Sequence, residues 1–172
     1  MSSPLVGLVG YAQAGKDTFA NFMGFKRLAF ANKLRDVAYD GNPWYREQVL
    51  KYGYEWSKSN VHGFREFLQD FGMAVREHFG EDTWVNAAFN DYAPNVPTVF
   101  TDVCFPYEIA RIKAEGGIIV RIDRVGHAPA NTHISEHAWQ ATEPDEKFIF
   151  ADGALRHMEL VAVHLAGRLT SA

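Results

Sequence analysis

Short apolar runs recur along the chain and stop at glycines or at polar loops. Such runs are typical of strands buried in a parallel sheet. The strands predicted in this way are Pro4–Val9, Arg27–Ala31, Pro97–Val103, Ile118–Asp123 and Lys147–Ala151.

Segments with apolar residues three and four positions apart lie between these runs, and this spacing predicts helices. The predicted helices are Lys16–Met23, Asn32–Tyr39 with Asn32 as its cap, Phe64–Phe79, Thr83–Tyr92, Tyr107–Glu115 with Pro106 at its first position, and Ala154–Leu169. Strands that alternate with helices predict an α/β fold, with a mostly parallel sheet and helices on both faces.

Two segments break this alternation. Residues 40–62 contain glycine, proline and aromatic residues without a clean period, which predicts an irregular or partly helical excursion. The polar stretch 125–146 is too long for an ordinary connection and predicts a lid. At 172 residues we expect a single domain, 1–172, with an insertion at about 40–80 and the lid at about 125–146.

Composition and charge exclude several classes of function. Seventeen Lys and Arg against 21 Asp and Glu give a net charge of −4, which leaves no broad basic surface for nucleic acid. No apolar run approaches the roughly 20 residues of a membrane helix, and the first residues lack the features of a signal peptide. The single cysteine, Cys104, agrees with a reducing compartment. We therefore expect a cytoplasmic protein without membrane or nucleic-acid partners, whose anionic ligands are small.

The strongest motif is the run GYAQAGKDT, which begins at Gly10. It matches GxxxxGK[ST] except that Asp17 occupies the Ser/Thr position, and it lies between a predicted strand and a predicted helix, as the motif requires. Gly10 and Gly15 allow backbone N–H groups to converge on phosphate oxygens, while Lys16 reaches the β- and γ-phosphates. The motif predicts a nucleotide-binding loop.

The candidate nucleotide ligands in this loop are Gly10, Ala14, Gly15, Lys16, Asp17 and Thr18. Asp17 is also a candidate Mg²⁺ ligand, because its carboxylate can coordinate the ion directly or through water. The alternative is a glycine-rich turn in which Lys16 is solvated and Asp17 satisfies helix-terminal amides.

Asp102 ends a predicted strand and is the second candidate Mg²⁺ ligand. An acidic residue at the end of a strand beside a phosphate loop orients the metal in many phosphotransferases. The alternative is an aspartate that caps the turn before Pro106.

Arg121 and Arg124 lie at the end of a predicted strand, where the predicted lid begins. An arginine there could neutralise the charge that develops on a transferred phosphoryl group, and Arg124 is the candidate catalytic residue beside Lys16 and Asp102. The alternative for both arginines is pairing with surface carboxylates.

Three polar side chains on the predicted helix Phe64–Phe79 share one face. Arg65, Gln69 and Arg76 fall within roughly 40° of one another at 100° per residue, and Gly72 lies on the same stripe. Two guanidinium groups and an amide suit a small anion with a hydrogen-bonding head, such as a nucleoside monophosphate. A solvated face with local ion pairs is the alternative.

The segment His133–His137 spells HxxEH, an inverted zinc-protease motif, but it lies between prolines and lacks a distal ligand set, so a polar lid or hinge is favoured. The aromatic residues between 44 and 56 suit either base stacking or core packing.

With these motifs in view, the sequence resembles the bacteriophage-type deoxynucleoside monophosphate kinases of the P-loop kinase superfamily. The segments that carry the resemblance span most of the chain and are GLVGYAQAGKDT, AFANKLRDV, REFLQDFG, TDVCFPYE, GGIIVRIDR, HISEH and FIFADGAL. The resemblance implies a P-loop kinase-like fold with a lid, and a protein in the cytoplasm, which is the host's if the gene is phage-encoded.

The resemblance also implies the partners and their sites. ATP and Mg²⁺ would be held by the phosphate loop, with Asp152 and Gly153 bordering the adenine. Arg65 and Gln69 would line the acceptor monophosphate site, so that the insertion at about 40–80 is the acceptor site, and Arg124 would close with the lid.

One position departs from the family pattern. Where that pattern has Asp-Val-Arg-Phe-Pro, this chain has Cys104 in place of the arginine. The role of the arginine is then either dispensable or taken by another residue, for which Arg111 is the candidate.

Two alternative functions and several properties stay open at this level. Another small-molecule kinase, acting for example on dephospho-coenzyme A or on a phosphorylated isoprenoid precursor, fits the same motifs. A nucleotide-binding switch without an acceptor site is a further alternative. The accepted bases, the choice between ribose and deoxyribose and the existence of a homodimer are not determined by these patterns.

Overall fold

The computed structural model describes residues 3–130 and 132–171. Within them, five strands form one sheet in which every pairing is parallel. The strands are β1 (Leu5–Val9), β2 (Lys26–Leu28), β3 (Thr98–Phe100), β4 (Ile118–Arg124) and β5 (Glu146–Phe150), in the order β2-β3-β1-β4-β5 across the sheet. The predicted α/β class with a parallel sheet is confirmed.

Helices connect and flank these strands. They are α1 (Lys16–Met23), α2 (Phe30–Gly41), α3 (Pro43–Tyr52), α4 (Tyr54–Asn60), α5 (Phe64–Phe79), α6 (Thr83–Phe89), α7 (Pro106–Ala114) and α8 (Leu155–Thr170). Two short 3₁₀ turns, Ile134–Glu136 and Ala138–Ala141, lie between β4 and β5. Over the described ranges, every helix is too short or too polar to span a membrane.

The chain divides into two compact units. Residues 1–29 and 91–172 form a sheet unit that contains all five strands, and Phe30–Asn90 forms a helical unit that contains α2 to α6. The phosphate-loop motif belongs to the sheet unit, and the Arg65 stripe belongs to the helical unit.

Helices cover both faces of the sheet. Val6 and Leu8 of β1 are fully buried in the core that α1 and α8 complete on one face. Gly7 faces the opposite side, where a Cβ atom would lie 2.7 Å from Ile112 Cδ1 of α7. Because successive strand residues point to opposite faces, α7 covers the face opposite α1 and α8. The missing side chain at Gly7 lets α7 pack closely against the centre of the sheet.

The adjacent strands β1 and β3 lead into helices on opposite faces. β1 continues into α1, whereas β3 continues into α7. In open parallel sheets such a pair leaves a crevice beyond its carboxyl ends, and ligands bind there. The glycine loop follows β1 and Asp102 follows β3, so both predicted sites lie at this crevice.

The helical unit has a core of its own, and a glycine sets the distance between two of its helices. Trp84 of α6 donates a buried hydrogen bond of 3.1 Å from Nε1 to the Gly72 carbonyl of α5. A Cβ atom on Gly72 would lie 2.5 Å from Leu34 Cδ1 of α2. Close packing of α2 against α5 therefore requires glycine at position 72.

The strand predicted over Arg27–Ala31 is wrong beyond Leu28, because α2 begins at Phe30. Phe30, Leu34 and Ala38 are all buried, and their four-residue spacing forms the buried stripe of a helix. Asn32, predicted to be the cap, lies inside α2, where its side chain accepts a hydrogen bond from Arg35. The apolar run that suggested a strand is thus the start of this stripe.

The excursion predicted at residues 40–62 is largely helical. Pro43 begins α3, and Gly53, with a φ of +86°, separates α3 from α4. Tyr45 packs its ring on Phe64 and Phe67 of α5, at centroid distances of 5.2 and 4.6 Å. Aromatic contacts of this kind stabilise these helices, although the sequence here lacks a regular apolar spacing.

Candidate functional site: a phosphate loop at the end of the central strand

Two glycines shape the loop between β1 and α1. Gly10 has a φ of +142°, and a Cβ atom there would lie 2.2 Å from the carbonyl oxygen of Ile122 in β4. Gly15 has a φ of +101°, and its Cβ atom would lie 2.9 Å from Met158 Cε of α8. Both positions favour glycine for their backbone conformation, and Gly10 needs it for space as well, because the neighbouring atom belongs to the backbone.

Lys16 begins α1 and folds back over the loop. Its Nζ donates hydrogen bonds of 2.8 Å to the carbonyl oxygens of both Gly10 and Tyr11. Burial lowers the pKa of the Lys16 ammonium group, and nearby carboxylates act in the opposite direction. Those carboxylates belong to Glu136, Asp17 and Asp102. A cation held in this way is positioned to meet an anion bound by the loop.

Asp17 lies in the first turn of α1 and is largely exposed, with 70% of its side chain accessible. Its carboxylate pairs with the guanidinium group of Arg27 on β2, which also donates to Asn21. In this arrangement Asp17 is engaged by a cation rather than by the helix-terminal amides that the alternative interpretation assigned to it.

The loop after β3 is held by a buried carboxylate. Glu108 of α7 accepts hydrogen bonds from the backbone N–H groups of Cys104 and Phe105, at 2.7 and 3.0 Å. The strand predicted over Pro97–Val103 therefore ends at Phe100, and Asp102 lies in a loop that Glu108 fixes. Asp102 interacts electrostatically with Lys16, which brings together two of the predicted catalytic residues.

Cys104 has a structural role in this loop. Its thiol donates to the Asp102 carbonyl oxygen at 3.1 Å. Burial, with Glu108 and Asp102 nearby, raises the pKa of this thiol well above its usual range, so it stays protonated. Arg111, the candidate for replacing the family's arginine, lies in the last turn of α7 and pairs with Glu115 at 3.0 Å.

The segment predicted to be a lid contacts the phosphate loop at several points. His127 Nε2 lies 2.6 Å from the Ala12 carbonyl oxygen, and Glu136 Oε2 accepts a 3.2 Å hydrogen bond from the Ala12 N–H. Gln140 Nε2 donates to the Tyr11 hydroxyl at 2.9 Å. Sequence reasoning missed these roles, and the polar run around HISEH was the only signal for them.

Arg124 lies at the end of β4 and links the turn after β5 to this segment. Its Nη1 lies 3.4 Å from Asp152 Oδ1, and its Nη2 lies 3.2 Å from His127 Nδ1. An arginine can only donate, so His127 Nδ1 accepts and its Nε2 carries the proton donated to the Ala12 carbonyl. Asp152 and Gly153, predicted to border the adenine, thus connect through Arg124 and His127 to the phosphate loop.

Arg121 has a different environment from Arg124. Its Nε donates to Asp123 Oδ1 at 2.9 Å, and its guanidinium carbon lies 4.8 Å from the ring centroid of buried Trp139. The carboxylate of Asp123 is only 16% exposed, whereas the alternative of pairing with a surface carboxylate fits Arg124, whose partner Asp152 is 85% exposed.

A metal site made only of protein side chains is not seen in the described residues, where no three His, Cys, Asp or Glu side chains are grouped for one. His133 of the HxxEH motif instead pairs through Nδ1 with the Ser135 hydroxyl at 2.8 Å. Mg²⁺ in phosphotransferases is held by one or two carboxylates together with the substrate phosphates. Asp17 and Asp102, which both interact electrostatically with Lys16, are donors of the type and number that this mode requires.

The predicted acceptor residues lie on α5 of the helical unit, where Arg65, Gln69 and Arg76 are partly buried. Arg76 Nη1 approaches Met73 Sδ at 3.6 Å. Gly72, expected to leave an open position between them, is buried beneath Leu34. Gly72 thus allows close helix packing. Arg65, Gln69 and Arg76 lie on one face of α5, as predicted.

No protein-family model matches the chain, and no curated protein matches it either. The resemblance to P-loop kinases therefore rests on the sequence motifs alone.

The Gly10 contact yields a prediction about loop geometry. Gly10→Ala should lower the free energy of unfolding by about 3 kcal/mol or more, because a strained φ and a backbone clash add together. The matched control is Gly24→Ala, where φ is +70° and no atom lies within 4 Å of the added Cβ, so that only about 1 kcal/mol is lost. Urea unfolding of both variants measures the difference, and equal losses would contradict the proposed contact.

Proposed function

We propose that this protein is an ATP-dependent kinase that transfers a phosphoryl group to a deoxynucleoside monophosphate. The observation that carries the proposal is the glycine loop at the crevice beyond β1 and β3, with Lys16 folded across its carbonyl oxygens at 2.8 Å. Such loops bind phosphate through backbone N–H groups and the amino terminus of the following helix. The motif resemblance extends the proposal from phosphate binding to a kinase.

On the donor side, the loop would hold the β- and γ-phosphates of ATP, and Lys16 would turn its ammonium group from carbonyl oxygens to phosphate oxygens. Asp17 and Asp102 are the residues that would hold Mg²⁺, which would neutralise phosphate charge when bound. For Asp17, this requires release from its ion pair with Arg27.

On the acceptor side, Arg65, Gln69 and Arg76 of α5 would bind the monophosphate and its polar head. Guanidinium groups bind phosphate oxygens in pairs, and an amide supplies both a donor and an acceptor. The three side chains remain partly exposed on one face, which is what a binding role requires.

In the proposed reaction, an oxygen of the acceptor's phosphate attacks the γ-phosphorus of ATP. A new P–O bond forms while the bond to the β-bridging oxygen breaks, which gives ADP and a deoxynucleoside diphosphate. The attacking oxygen is already anionic, so no strong general base is needed. Catalysis then consists of positioning and of charge stabilisation by Lys16, Arg124 and the metal.

The direct test is ADP release from ATP and Mg²⁺ with each deoxy- and ribonucleoside monophosphate in turn. We expect ADP release that depends on a deoxynucleoside monophosphate. Turnover only with dephospho-coenzyme A or with a phosphorylated isoprenoid would assign another kinase. Slow hydrolysis that no acceptor stimulates, with no monophosphate binding, would assign a nucleotide switch.

Replacement of the loop lysine should separate catalysis from folding. Lys16→Met should reduce turnover at least ~100-fold, the scale for losing a preorganised charge-stabilising group, while the thermal midpoint changes little. Lys51→Met, which removes an exposed lysine from the helical unit, is the control and should leave turnover unchanged. Near-normal turnover of Lys16→Met would overturn the assignment of the phosphate loop.

Removal of an arginine from the α5 stripe should weaken the acceptor selectively. Arg65→Ala should raise the Michaelis constant of the monophosphate by about 10- to 100-fold, since a charged hydrogen bond contributes about 1.5–3 kcal/mol, and should leave that of ATP nearly constant. Arg46→Ala is the control from the same unit, because Arg46 pairs with exposed Asp40 at the surface. A change confined to the Michaelis constant of ATP would contradict the assignment of α5 to the acceptor site.

Magnesium titrations test the role of Asp17. Asp17→Asn should need more Mg²⁺ for half-maximal activity, because one anionic ligand is lost, and Asp17→Ser should recover more activity than Asp17→Asn. Arg27→Gln should shift the midpoint in the opposite direction, because it frees the Asp17 carboxylate. Identical midpoints in all four proteins, wild type included, would exclude Asp17 from the Mg²⁺ site and leave it only its structural role at the start of α1, where it pairs with Arg27.

A further inference from the structure

Glu136 places a buried carboxylate against the phosphate loop. It ends the first 3₁₀ turn, only 6% of the residue is exposed, and its Oε2 accepts the Ala12 N–H at 3.2 Å. A buried carboxylate is costly unless it is bonded and charge-compensated. Here a backbone N–H of the loop supplies a bond, and nearby Lys16 supplies the compensating charge.

The surroundings hold Glu136 in this position. His127 bonds the carbonyl of Ala12, so the backbone groups of this one residue are engaged through both its N–H and its C=O. Trp139 packs edge-on against Tyr11, with ring centroids 5.4 Å apart, and Gln140 bonds the Tyr11 hydroxyl. The segment around Glu136 is therefore docked on the loop by contacts with both Tyr11 and Ala12.

A carboxylate and a phosphate can bind to the same donor groups of such a loop. Both are anions whose oxygens accept hydrogen bonds from backbone N–H groups and from an ammonium group. A nucleoside triphosphate brings further negative charge to the same N–H groups and to Lys16. Two anions so close together in a partly buried site repel each other strongly.

We infer that Glu136 is an internal competitor of the nucleotide's phosphates, which occupies the loop's Ala12 N–H until a triphosphate displaces it. The inference rests on the proposed function, because it requires that the loop bind a nucleoside triphosphate. Displacement breaks the bond between Glu136 and Ala12 and weakens the attachment of the segment Ile134–Ala141 to the loop. The carboxylate thus opposes binding of the nucleotide, and its opposition increases with the number of phosphates.

Calorimetric titration with AMP, ADP and ATP in the absence of acceptor measures this competition. Glu136→Gln keeps the size of the side chain and an oxygen acceptor but removes the charge. We expect Glu136→Gln to bind ATP about tenfold more tightly than the wild type does, which corresponds to about 1.4 kcal/mol. Its affinity for ADP should increase less, and its affinity for AMP should not change. The control is Glu143→Gln, which removes an equal charge from an exposed position two residues after that segment and should change no affinity.

A second measurement on the wild type covers the case in which the variant folds poorly. Hydrogen exchange of Ile134–Ala141 should become faster when ATP is added, because one of the bonds that hold the segment on the loop is lost. Thermal melting checks the fold of Glu136→Gln. Equal or weaker ATP binding by a folded Glu136→Gln, or slower exchange of the segment with ATP, would overturn the inference.

These outcomes are separable from the proposed function. If the wild type binds ATP and phosphorylates an acceptor while Glu136→Gln gains no affinity, the inference alone fails. If neither the wild type nor Glu136→Gln binds ATP, and no acceptor stimulates ADP release, the proposed function fails and the inference falls with it.

Discussion

The close approach of β1 to β4 at Gly10 is the constraint on which the candidate site depends. The Gly10 backbone lies so near the Ile122 carbonyl oxygen that no side chain fits, and its positive φ turns the chain out of the sheet. This turn sends residues 10–15 around the crevice and starts α1 at Lys16. The lysine can then fold back on the loop carbonyls because the loop curves beneath it.

Charge around the loop is balanced within the sheet unit. Lys16 is partly buried among carboxylates, while Asp17 is engaged by Arg27 and Arg124 is engaged by Asp152 and His127. Internal carboxylates and carbonyl oxygens thus hold these cations in place. Under the proposed function, the contacts of Lys16 and Asp17 must yield when phosphate and Mg²⁺ bind.

Much of the fold was predictable because the sequence patterns that mark its helices and strands involve residues close together in the chain. The helices at Lys16–Met23 and Phe64–Phe79 have the predicted bounds, since regular apolar spacing and a terminal glycine mark both. The error at Phe30 and Asn32 came from a five-residue segment with four apolar residues, which is too short to distinguish a strand from the buried stripe of a helix. Packing of Phe30 and Leu34 inside the helical unit decided that segment.

The sequence by itself determined the α/β class, the glycine loop after the first strand and the polar stripe on α5, because each depends on residues close together in the chain. Only the tertiary structure decided the strand order and the packing role of Gly72. It also decided the partners of Asp17 and the contacts of His127 and Glu136 with Ala12, residues more than 100 positions apart. No local pattern encodes such pairings, since a carboxylate in a polar stretch acquires a role only when the sheet brings a backbone N–H group to it.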